Sequence, residues 1–183
     1  MVSDPTAAAR TSSGVSGYYM GGKKTFWRRD DGIAGAANPT ALSAYASFAQ
    51  TIDKDVSNGL ASQGYAGLII SSPWQSRPFD SYGLNVGWGR LTRDEQRLET
   101  QAYTASGGTG DYRAKRNEYS LSLDANIMLT DGVILSGYVI RTFNANTWMN
   151  PYAWSAPRDG LAFGLFATLL IDDMLGLSGH PAR

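Results

Sequence analysis

Apolar and polar side chains alternate along most of this chain, in runs longer than an ordinary globular strand. The run from Glu118 to Thr130 shows it best. Tyr119, Leu121, Leu123, Ala125, Ile127 and Leu129 fall on one side; Glu118, Ser120, Ser122, Asp124, Asn126 and Thr130 fall on the other, with Met128 the exception. Successive side chains of a β-strand point to opposite faces, so this pattern sets one face against something apolar and the other against water. Asp131-Gly132 follows as a tight-turn signal, and Val133–Phe143 reads as the hairpin partner, with Arg141 its one charge.

Ser81–Leu91 repeats the pattern, with Tyr82, Leu84, Val86 and Trp88 against Gly83, Asn85, Gly87 and Gly89. A packed interior needs volume on its inner face, which Gly and Asn do not supply. The pattern suits a wall with lipid on one side and water on the other. Ala41–Thr51 sets Leu42, Ala44, Ala46 and Phe48 against Ser43, Tyr45, Ser47 and Ala49. Leu60–Ser72 is apolar on both faces, Tyr65, Gly67 and Ile69 opposing Ala66, Leu68 and Ile70, so its inward face is not fixed by the pattern. Val15–Trp27 and Leu161–Ile171 bring the series to seven strands, with an eighth left open.

The expected class is all-β: antiparallel transmembrane β-barrel strands, each long enough for a tilted crossing. Residues 1–13 read as a disordered lead-in, 14–171 as one barrel region and 172–183 as a polar tail. Arg93–Arg116 reads as a long polar loop of the kind that is functional or disordered. Together with the tight Asp131-Gly132 turn it gives the asymmetry of a barrel, long loops on one rim and short turns on the other. Asn144–Pro157, which holds Trp148, Tyr152 and Trp154, reads as an aromatic rim. Trp27 beside Arg28 reads as an interfacial girdle residue, a stacking platform, or an aromatic packed on the next strand.

Composition narrows the function classes. Sixteen basic residues balance 16 acidic ones, and no basic cluster exceeds Lys23-Lys24 and Arg28-Arg29, so no nucleic-acid partner is expected. Without cysteine there is no disulfide framework, Cys-ligated zinc or thiol catalysis. No apolar run approaches the ~18 residues of a transmembrane helix, whereas barrel strands hide half their residues from such a window. Met1–Ser13 lacks the basic-led apolar core of a secretory signal. An outer-membrane protein needs one, so either this is not such a protein or its true N-terminus lies upstream of Met1, the second being the expectation.

Catalytic chemistry is thin. His180, the one histidine, sits in a tail of Gly and Pro with no rigid partner. Gly107-Gly108-Thr109-Gly110 lacks the Lys and the helix of a phosphate loop. Glu118 and Asp124 share a strand face but stand roughly 20 Å apart at strand rise, too far for paired-carboxylate catalysis. No enzymatic activity, metal or cofactor is expected. The polar positions Ser43, Tyr45, Ser47, Asn85, Glu118, Ser120, Ser122, Asp124 and Asn126 read as the lining of a channel, with a plain solvated face as the alternative.

Three stretches together resemble the carbohydrate-selective porin family, the OprB-like porins. They are Gly17-Tyr18-Tyr19-Met20, the strand from Asp80 to Arg90 led in by Arg77-Pro78-Phe79, and Asn117-Glu118-Tyr119-Ser120-Leu121 with its Thr130-Asp131-Gly132 turn. Ser136-Gly137-Tyr138-Val139-Ile140 lacks the Pro and Gln of the family's near-terminal strand, and the chain runs on past Ile171 where the family usually ends on an aromatic. The resemblance implies a sixteen-stranded barrel embedded in outer-membrane lipid and passing sugars and small solutes by passive diffusion, of which this chain is the C-terminal half. Half a barrel has two open edges. A truncated product and a homo-oligomer both stay open, as does a small closed eight-stranded barrel with a structural or binding role.

Overall fold

The structure, a computed structural model, describes residues 16–29, 40–52, 59–74, 76–108, 110–147 and 155–174. Seven strands follow one another as β1 (Gly17–Arg28), β2 (Ala41–Thr51), β3 (Leu60–Ser71), β4 (Ser81–Leu91), β5 (Asn117–Thr130), β6 (Val133–Phe143) and β7 (Gly160–Leu169). Each pairs antiparallel with the next, giving a single up-and-down sheet in sequence order. The described residues also form two helices, α1 (Arg93–Ala105) between β4 and β5 and the short α2 (Ile171–Met174) after β7. Among the described residues no pairing joins β7 to β1. The closed eight-stranded barrel is therefore not the architecture seen.

Register decides which face each residue takes. Leu84 stands opposite Leu68 on one side and Leu123 on the other; Leu123 stands opposite Val139, and Val139 opposite Phe163. All five are exposed. The buried apolar residues are Ala41, Leu91, Ala102, Tyr103 and Ala114, none of them in the middle of a strand. A domain folded in water covers an apolar sheet face with a second layer. This sheet has one layer, and its apolar face is continuous and bare. No described helix is long and apolar enough to cross a membrane; the bare face belongs to the strands.

Pairing also settles β3, whose sequence is apolar on both sides. Ala66 and Leu68 meet Val86 and Leu84, whereas Tyr65 and Gly67 meet Gly87 and Asn85. Trp27, displaced by a bulge after Thr25, stands opposite Leu42 on the apolar face and is 48% exposed, so it is not packed into a core.

The two ends of the sheet are tied differently. At one end the expected long loop is in fact α1, begun by the Thr92 hydroxyl, which accepts from the Glu95 N–H at 3.1 Å. The returning segment packs along the helix. Gln96 Nε2 donates to the Ala114 carbonyl at 2.7 Å, the Ala114 N–H donates to Thr100 Oγ1 at 3.2 Å, and the Tyr103 and Tyr112 rings lie 4.8 Å apart. At the other end Asp80 is the anchor. It accepts from Arg77 Nε at 2.5 Å and from the Met128 N–H at 3.1 Å, fastening the β3–β4 connection to β5. Trp148, Tyr152, Trp154 and His180 lie outside the described residues.

Candidate functional site

The face opposite the bare one collects the polar side chains. Ser43 is carried by register to Ile69, Gly83, Asp124 and Tyr138; Tyr45 to Gly67, Asn85, Ser122 and Ile140; Ser47 to Tyr65, Gly87, Ser120 and Thr142. Asn126 lies beyond Asp124 opposite Ser81, and Glu118 lies at the other end opposite Gly89. All nine residues picked out by alternation thus stand on one face of one sheet.

Several of them are joined. The Tyr45 hydroxyl donates to Asn85 Oδ1 at 2.7 Å. Asn85 Nδ2 in turn donates to Asp124 Oδ1 and, at 3.4 Å, to Ser122 Oγ. A phenol, an amide and a carboxylate therefore run in one donor-to-acceptor direction from β2 to β5, the amide using its carbonyl toward one neighbour and its N–H toward the other. Thr25 Oγ1 and Ser43 Oγ stand 2.8 Å apart, and the Ser136 hydroxyl donates to Asn126 Oδ1 at 2.7 Å. Glu118 is used differently: its Oε2 accepts from the Asn146 N–H at 3.0 Å and holds the segment after β6.

Glycines on the neighbouring strands are what let these side chains lie down. A Cβ on Gly83 would stand 2.5 Å from Asp124 Oδ1, and one on Gly67 would stand 2.7 Å from the Tyr45 ring and overlap Asn85. Tyr65 lies 3.1 Å from the Cβ position of Gly87, and Tyr138 lies 2.5 Å from that of Gly164. Approaches under 3 Å are ones real Cβ atoms essentially never show, so a side chain at Gly67, Gly83 or Gly164 would force the covering group to shift, and the 3.1 Å approach at Gly87 is tight. The result is a wall with tyrosine rings laid against it and hydroxyl, amide and carboxylate groups beside them. Alternation in β3 could not reveal Tyr65, and the alignment of Tyr65 and Tyr138 over glycines needs the register.

Chemically this arrangement offers hydrogen bonds and aromatic faces to a hydroxylated solute. Among the described residues no group of three or more His, Cys, Asp or Glu could hold a metal ion. Near the rim, Glu99 of α1 is fully buried and its Oε2 accepts from the Thr147 N–H at 3.0 Å and the Thr147 hydroxyl at 2.9 Å. Burial pushes its carboxyl above the usual range; the Thr147 bonds oppose this, and the charges of Glu95 and Glu118 add to it.

A family model described as carbohydrate-selective porin, OprB family, matches residues 3–166 of the chain. No curated protein gives a match. Among solved structures, the high-pH structure of OprB from Pseudomonas putida is similar in fold, with a TM-score of 0.60 and 16% identity over 82% of this chain and 34% of that one. The chain spans about a third of the length of that porin.

Proposed function

This chain belongs to the carbohydrate-selective porin, OprB family, and from that premise we propose that it forms part of the wall of a bacterial outer-membrane channel through which sugars and small solutes diffuse passively. The observation that carries this reading is the division of one sheet into two unlike faces. One presents Leu68, Leu84, Leu123, Val139 and Phe163 with nothing over them. The other carries the Tyr45–Asn85–Asp124 relay. A bilayer satisfies the first face and a water-filled lumen the second. Aromatic residues border the apolar face at both ends, as in the girdles of outer-membrane barrels. Phe48 and Trp88 stack at 6.4 Å near α1, and Trp74 meets Tyr82 edge-on at 5.3 Å at the far end.

Topology adds a constraint on what completes the channel. Strands of a meander alternate in direction, so β1 and β7, six pairings apart, run the same way. An all-antiparallel closure cannot join them directly. The same holds for β7 of one copy meeting β1 of another head to tail. The rest of the wall must contribute an odd number of strands.

The test is Asp124→Asn in the complete porin, reconstituted in planar bilayers and in liposomes. Removing one lumen charge is expected to lower the cation-to-anion permeability ratio by about twofold at ~0.1 M salt, where screening limits the reach of a single charge. Sugar-driven liposome swelling should persist. An unchanged ratio would place Asp124 away from the conducting path.

A further inference from the structure

Where β4 ends and α1 begins, the fold gathers arginines that are scattered in the sequence. Arg90, Arg93, Arg97 and Arg116 line one open cavity of about 590 Å³ together with Gln50 and Ser62. Asp94 is the one carboxylate among its lining residues, and it is already 3.5 Å from Arg97. In a chain whose 16 basic and 16 acidic residues balance, this is a strong local excess of positive charge. Arg116 is fixed in place by donating Nε and Nη2 to the Leu91 carbonyl at 3.3 and 3.2 Å. Burial, and then the charges of Arg90 and Arg93, lower its pKa, consistent with guanidinium groups crowded together.

Of the cavity's strand-end residues, Gln50, Ser62 and Arg90 lie on the apolar face of the sheet, whereas Thr51 and Arg116 have the alternation of the polar face. Arg90 lies two residues beyond Trp88 on the same strand face, and its neighbour across β3 is Ser62, opposite Gln50. A solute moving past Asn85 and Asp124 is on the other face. Arg90 therefore stands just outside the aromatic border of the surface read as lipid-facing, at the level where charged headgroups meet the hydrocarbon, and Arg93, Arg97 and Arg116 share its cavity. Guanidinium groups bind phosphate oxygens in bidentate fashion, and several together hold one phosphate better than any alone.

We infer that this cavity is a binding site for the phosphate of an anionic lipid headgroup, held by Arg90, Arg93, Arg97 and Arg116 at the membrane boundary. The inference rests on the reading of the apolar face as lipid-facing.

The experiment uses the complete porin in nanodiscs of phosphatidylcholine, alone or doped with lipid A, with dephosphorylated lipid A as the matched control. Bound lipid is measured by native mass spectrometry after release from the disc. Lipid A is expected to be retained in preference to its dephosphorylated form. An Arg90→Gln, Arg93→Gln double variant should weaken retention by about twenty-fivefold, near fivefold for each basic residue at a membrane surface. Arg97→Gln, on a well-exposed side chain, should weaken it by a smaller factor without risk to folding. Raising the salt concentration should shrink the preference. Equal retention of both lipids, or a double variant that is folded and unchanged, overturns the site while leaving the porin wall intact. Inorganic phosphate competing as well as lipid A would show a site for free anions and overturn the headgroup assignment. Failure of the wild-type porin to enter either disc would overturn the lipid-facing reading itself, and the site with it.

Discussion

The body of the sheet and the rim around α1 are held together by different physics. Across the middle of β2 to β7 the strands meet in register, and the apolar side chains stay exposed. At the rim, Leu91, Ala102, Tyr103 and Ala114 are buried, together with the side chain of Glu99. The rim is thus a small buried cluster standing on a wall whose apolar face is exposed. On the reading proposed above, the two depend on different solvents, and perturbations should sort according to which solvent they address.

The largest separation should come from Leu91→Ala. Leu91 is fully buried, and truncating such a residue costs about 2–5 kcal/mol. Hydrogen exchange of the α1 amides should accelerate while the β5–β6 ladder stays protected; uniform loss of protection would mean that rim and wall unfold as one. A Leu123→Arg change addresses the other solvent. On the face proposed to meet lipid it should cost about 2–4 kcal/mol if it lies near the bilayer midplane, read as a shift of the urea midpoint for folding into vesicles. Equal stability in vesicles would place that face away from lipid.

Acidity sharpens the contrast further, because the two anchoring carboxylates shift in opposite senses. Glu99 has a folded-state pKa raised chiefly by burial, so it takes up a proton in the folded protein before the unfolded one. Its contribution to stability falls as pH rises from the ordinary Glu value to the raised one, and acidification from neutral relieves the cost. Glu99→Gln should flatten that dependence in the exchange of α1. Asp80 has its pKa lowered, first by the hydrogen bond from Arg77. Its contribution is present above the ordinary Asp value and is lost as pH falls through the lowered one. Acid should therefore loosen the β3–β4 connection while easing the strain on α1. The effect is the smallest of these, because the Arg77 side chain is 41% exposed and solvent screens the pair. Protection factors of the two ends measured along a pH series would test the opposite signs.

Most of the wall was legible because alternation is strict where one face is uniformly polar. In β4 and β5, Leu84 and Leu123 could be told from Asn85 and Asp124 by position alone, and the pairing confirms the faces. β3 was not legible, since Tyr65, Gly67 and Ile69 are no more polar than Ala66, Leu68 and Ile70; only hydrogen-bonded neighbours separate them. α1 reads as a loop for a related reason. Its buried stripe is Glu95, Glu99, Ala102 and Tyr103, so the helical period carries no apolar signal. The cue that was present is Thr92-Arg93-Asp94-Glu95, a Ser/Thr residue followed three positions later by Glu, which marks a helix start. The arginine cavity was invisible because Arg90 and Arg116 are brought together by the β4–β5 pairing across the whole of α1.

If the polar face lines a channel, as proposed, the glycines beneath Tyr45, Tyr138 and Asp124 have a kinetic consequence. A side chain pressed onto a bare stretch of backbone and hydrogen-bonded to its neighbour, as Tyr45 is to Asn85, has few rotamers to visit. A solute sliding past such a surface meets groups that are already positioned and need no rearrangement, so each step along it has little friction. The same tethering limits how far any one group can reach out to grip. A face built this way favours brief, repeated contacts over residence, and an alanine at Gly67 or Gly83 would lift the side chain off the floor and roughen the path.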